Sequence, residues 1–158
     1  MKGPEMTTHN LIVRAIDVGY GHIKFTDGRD TETGALRTVS IPSLSPAYKG
    51  TIVASGGGVM KRRDTFVVPV EGRTFEVGRE VHRALTGKQE TEVLDEKFAL
   101  SDQYPARLFG AINYMMPGLP ADVIDVLVLG LPLNTYPKLH QKLAERFTGT
   151  FKINDASE

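Results

Sequence analysis

The stretch "RAIDVGYGHIKFTDG", Arg14 to Gly28, decides how the rest of the chain is read. Leu11, Ile12, Val13, Ala15, Ile16 and Val18 form a nearly unbroken apolar run from Leu11 to Val18, as expected of a central strand covered on both faces. Asp17 sits near its carboxyl end. Gly19-Tyr20-Gly21 turns the chain, and His22 to Thr26 alternates, with Ile23 and Phe25 set against His22, Lys24 and Thr26. Asp27-Gly28 marks the next turn.

Two glycines flanking one residue let consecutive backbone N–H groups converge on an anion, because glycine tolerates positive φ. Asp17 is then placed to orient a hydrated magnesium ion, which keeps most of its waters and takes few carboxylates. Lys24, seven residues on, can reach over the turn toward a β- or γ-phosphate. The spacing fits neither a P-loop, which needs GxxxxGK[ST], nor a dinucleotide turn, in which GxGxxG opens a helix. Pattern alone leaves equally open an ordinary glycine-containing hairpin with a surface aspartate and lysine.

The 158 residues suit one core, large enough to bury roughly two-thirds of the surface of the unfolded chain. Nineteen basic residues balance nineteen acidic ones, so no overall field draws the chain to nucleic acid or to an anionic membrane, and direct contact with either is not expected. The absence of cysteine excludes disulfide and thiolate chemistry and suits a reducing cytosol, so a cytoplasmic location is expected. Residues 1–10 lack the apolar segment of a signal peptide and read as a disordered start, or as residues foreign to the natural chain.

Further along, Leu36 to Ile41 predicts a third strand, completing a meander that ends at "PSLSP" as an extended edge. Residues 48–85 read as an insertion. A glycine-rich, basic loop from Tyr48 to Asp64 precedes a hairpin of "TFVVPV" and "TFEV". Ser101 or Asp102 can cap a helix with Pro105 in its first turn and an apolar stripe of Tyr104, Leu108, Ala111, Ile112 and Met115, stopped by Pro117-Gly118. "IDVLVLGLPL" predicts a buried strand. Asn134 or Thr135 can cap a second helix, with Leu139, Leu143 and Phe147 at four-residue spacing and Gly149 at its end. "TFKIND" reads as the start of another strand. The expected fold is α/β, a mixed sheet with helices and a small inserted β-hairpin.

Asp17 to Lys24, "DVGYGHIK", resembles the first phosphate motif of the actin, Hsp70 and hexokinase superfamily. "SIPSLSP", "VPVEGRTFEVG", "DQY" and "VLGLPLNTY" extend the resemblance over most of the chain, toward the plasmid-partition actin-like ATPases of the ParM or StbA type and, among them, protein D of PRTRC systems. The resemblance implies a ribonuclease-H-like lobe of a two-lobe ATPase that binds ATP and magnesium and polymerises with itself into filaments that segregate plasmid DNA, with a DNA-binding adaptor as a further partner. Residues 11–158 would be its first lobe. The sequence has no second glycine-rich phosphate loop or adenosine motif, so the second lobe is expected to be missing and the isolated lobe inactive.

The resemblance also implies roles for single residues. Asp17 would hold the metal and serve catalysis, and Gly19, Tyr20, Gly21 and Lys24 would bind the nucleotide. Relatives commonly carry a glutamate after Leu-Pro-Leu that positions the attacking water. Here Asn134 and Thr135 stand there, able to orient water but not to act as a base, and equally able to serve only as helix caps. Two other classes stay open: a non-hydrolysing actin-fold adaptor, and a small-molecule kinase lobe, for which no substrate aspartate stands out. His9, His22, His82 and His140 lack metal-ligand spacing, and "KRRD", Lys61 to Asp64, reads as a solvated cluster.

Overall fold

A computed structural model describes residues 11–50, 63–85 and 97–154 of the chain. Strands β1 (Val13–Val18), β2 (His22–Arg29) and β3 (Leu36–Pro42) form the expected antiparallel meander. Strand β6 (Val126–Leu129) joins the other side of β1 in parallel, giving the order β3-β2-β1-β6. Strands β4 (Thr65–Val70) and β5 (Arg73–Gly78) form a separate hairpin. Helices α1 (Gln103–Met115) and α2 (Tyr136–Arg146) follow the predicted segments.

Alternation along the meander assigns its two faces. Ile16, Val18, Ile23, Phe25 and Ile41 are buried on the side that carries α1. Asp17, Lys24, Thr26, Thr38 and Ser40 share the opposite face with Val13, Ala15, Val126 and Val128. β1 is central, as its apolar run predicts, yet among the described residues it is covered on one face only. β6 departs further from the expected buried strand. It is the edge of the sheet among the described residues, with Val126 41% and Val128 52% exposed.

α1 is buried on nearly every side, a wider burial than its predicted stripe, because the β4–β5 hairpin packs against it as well as the sheet. Gly110 permits that approach: a Cβ there would collide with the Val77 side chain at Cγ1. Neither predicted cap acts through its side chain. The Ser101 hydroxyl donates to the Phe98 carbonyl at 2.7 Å, and the Asp102 carboxylate lies 3.3 Å from the Arg73 guanidinium. The buried Arg107 on α1 donates to the hydroxyls of Ser45 (3.0 Å) and Ser43 (3.2 Å), anchoring the "PSLSP" segment to the helix.

The hairpin turns through Glu71 and Gly72, both at positive φ (48° and 79°), a geometry that follows the right-handed twist of the strands. Pro46 and Tyr48 pair along the edge of β5 through Glu76 N–H to Pro46 O and Tyr48 N–H to Thr74 O, both 2.9 Å. Most of the predicted glycine-rich loop lies outside the described residues, as do Lys61 and Arg62. The rest of "KRRD" stays in part solvated, as expected, and also makes structural contacts. Arg63 grips the buried Glu76 through Nε (2.8 Å) and Nη2 (3.0 Å), and Asp64 meets Arg79 and the Tyr114 hydroxyl.

The closing "TFKIND" forms no strand over its described residues, Thr150 to Asn154. The segment lies against α1 instead. The Asn113 amide donates to Ile153 O at 2.6 Å, Asn154 donates to Asn113 Oδ1 at 2.9 Å, and Phe151 packs on Phe109 and Phe147.

Candidate phosphate site

The antiparallel register sets Asp17 directly across from Lys24. Both side chains are exposed on the sheet face that α1 leaves open, where they border a hollow of about 310 Å³ shared with Thr26, Thr38, Val128 and Gly130. The parallel pairing of Ile16 with Leu129 brings Gly130 beside Asp17, and Gly130 N–H donates to Ile16 O at 3.0 Å. A Cβ on Gly130 would lie 2.7 Å from Asp17 Oδ1, so glycine is what leaves the carboxylate its place. No pattern in the sequence alone singles out Gly130, because its role depends on a pairing between segments more than a hundred residues apart.

The Gly-Tyr-Gly turn works differently from the expected nest. Neither Gly19 nor Gly21 has positive φ, and the Gly19 N–H is already given to His22 O at 3.1 Å. Gly19 is required for space: a Cβ would sit 2.8 Å from the His22 carbonyl oxygen. At Gly21 a Cβ would meet nothing within 4 Å, so this glycine leaves the tip open rather than avoiding a clash.

Tyr20 is 57% exposed and stands over a second, smaller cavity of about 30 Å³, lined also by Tyr104, Gly130 and Thr135. Thr135 is buried there, while Asn134 lies on the exposed turn before α2. The Thr135 side chain does not cap α2 in the usual sense. Its Oγ1 donates back to Pro132 O at 3.0 Å. Of Leu131-Pro132-Leu133, the first two line the cavity, while Leu133 is 93% exposed.

Tyr104 was legible only as a core residue. Its ring is 2% exposed and its hydroxyl has no hydrogen-bond partner among the described residues. Burial, then the negative charge of Asp17, push its ionisation up to about 12. Among the described residues no three histidine or acidic side chains converge as a metal cage. A divalent cation at this face would rest on Asp17 and keep its water shell, a ligand set that suits magnesium.

The sequence matches the family model of the actin-like proteins N-terminal domain over residues 15–158. The chain belongs to the actin-like protein family. Its fold is the actin-like one, a mixed sheet with helices, and two solved structures share it. One is the apo pSK41 ParM protein, with a TM-score of 0.58, 17% identity, and coverage of 87% of this chain and 42% of that one. The other is AlfA from the B. subtilis plasmid pLS32 in its filament, with a TM-score of 0.55, 19% identity, and coverage of 82% and 46%. This actin-like domain thus spans less than half the length of either. No curated protein matches it in sequence. No helix of the described residues is long and apolar enough to cross a membrane.

Proposed function

We propose that this chain is the phosphate-gripping lobe of an actin-like ATPase that forms filaments in plasmid segregation or maintenance, of the ParM or StbA type and nearest to protein D of PRTRC systems. One observation carries the reading: Asp17 and Lys24 stand opposite each other at one open face, with Gly130 cleared beside the carboxylate. Lys24 contacts a terminal phosphate as a point charge, and Asp17 orients hydrated magnesium. Magnesium, if held there by Asp17, would supply charge neutralisation at the phosphates. Tyr20 flanks the phosphates, with the backbone of Gly19 and Gly21.

Residues 11–158 form the first lobe, with 48–85 inserted, and a second lobe is needed to enclose the adenosine. Self-association of the two-lobe form gives the filament, a reading supported by the likeness to AlfA in its filament. A DNA-binding adaptor links it to DNA, with no direct membrane contact, in the cytoplasm. Asn134 and Thr135 orient water without acting as a base, so turnover is slow and the isolated lobe inactive. A second reading, a non-hydrolysing actin-fold adaptor, is favoured by Asn134 standing where relatives commonly carry glutamate.

A ladder of ligands tests the assignment. Calorimetric titration with adenosine, AMP, ADP and ATP, each with magnesium, should give affinity that rises with each phosphate added. Equal affinity along the ladder would show that no phosphate grip exists.

A further inference from the structure

Three features meet beneath the hairpin tip. Tyr104, on the first turn of α1, is buried with a hydroxyl that has no hydrogen-bond partner among the described residues. Thr135, immediately before α2, is buried with its hydroxyl hydrogen committed to Pro132 O, which leaves Oγ1 as an acceptor. Both line the cavity of about 30 Å³ below Tyr20, room for one or two water molecules. A buried hydroxyl without a partner is costly, and a donor and an acceptor lining one small, otherwise largely apolar cavity are what a bound water needs.

We infer that Tyr104 and Thr135 together hold one internal water molecule, which accepts from Tyr104 Oη and donates to Thr135 Oγ1, and that Tyr104 is thereby a positioning residue for the phosphate site. The bridge ties the first turn of α1 to the start of α2 under Gly130, the residue whose lack of a side chain seats the Asp17 carboxylate. Loosening it frees the 130–135 loop beside Asp17. The positioning role rests on the reading of Asp17 and Lys24 as a phosphate grip. The water itself does not.

A double-mutant cycle decides the water without any nucleotide. Tyr104→Phe and Thr135→Val should each lower the melting temperature of the chain by about 2–4 °C, and the double variant should melt close to the less stable single one. Thr135→Ser, which keeps the hydroxyl, should restore wild-type melting and covers the case in which Thr135→Val fails to fold. Unchanged or higher melting in Tyr104→Phe, or strictly additive losses, would overturn the bridge. Titration of the same proteins with Mg-ATP separates the second claim: Tyr104→Phe should weaken binding about tenfold. Wild-type affinity in Tyr104→Phe would overturn the positioning role. Failure of the wild-type chain to bind Mg-ATP at all would overturn both the phosphate grip and that role, while the cycle would still decide the water.

Discussion

At the scale of single residues, position and cause were unequally legible. Alternation along His22 to Thr26 was enough to face Lys24 to the same side as Asp17, because a strand's side-chain period is two and a tight turn fixes the register. The reason for the glycines was not legible, since a close approach and a positive φ leave the same mark in a sequence. Gly19 and Gly130 both answer to space, one against His22 O and one against Asp17 Oδ1. Gly130→Ala should therefore displace the carboxylate and weaken magnesium-dependent binding, with only a small loss of stability, because the atom it would crowd is the end of the exposed Asp17 side chain. Chemical denaturation beside Mg-ATP titration checks both halves.

The tyrosines set an alkaline limit. Burial first, with Asp17 second for Tyr104, raises the ionisation of Tyr104 and Tyr114 from an ordinary 10 to about 12 in the fold. The unfolded chain releases these protons first, so the native state binds more protons between pH 10 and 12. Stability should be intact below pH 10 and fall as pH rises toward about 12. Unfolding curves across that window should flatten in the double variant Tyr104→Phe/Tyr114→Phe, and an unchanged slope would remove the assignment.

At the scale of elements, local periodicity located the strands and helices but not what covers them. The stripe on α1 placed Tyr104, Leu108 and Met115 in the core, yet nothing near it in sequence announced that β5 would lie against Gly110. Gly110→Ala should cost about 1–3 kcal/mol, since its methyl group would enter the Val77 side chain. Thermal melting checks it. A double substitution Ser43→Ala/Ser45→Ala should likewise lower the melting temperature, because it strips two acceptors from the buried Arg107 guanidinium. The run "VLVL" misled for a related reason. Continuous apolar character implies cover on both faces, while in the described residues β6 has one neighbouring strand and a face open to solvent.

At the scale of the whole molecule, the balanced charge and the open hollow set the expected strength of binding. Pockets that bind tightly bury most of their ligand, and this face offers one charged wall and no enclosure for adenosine among the described residues. Affinity for Mg-ATP should be weak and carried by the phosphates, so the Asp17–Lys24 pair answers for most of it. Calorimetric titration of the chain and its Lys24→Ala variant with Mg-ATP, at equal ionic strength, tests this most directly. The account predicts affinity weaker than micromolar in the unaltered chain and a loss of about tenfold in Lys24→Ala, the scale of one charge-assisted contact. Equal affinity of the two proteins, or submicromolar binding that survives the substitution, would contradict it.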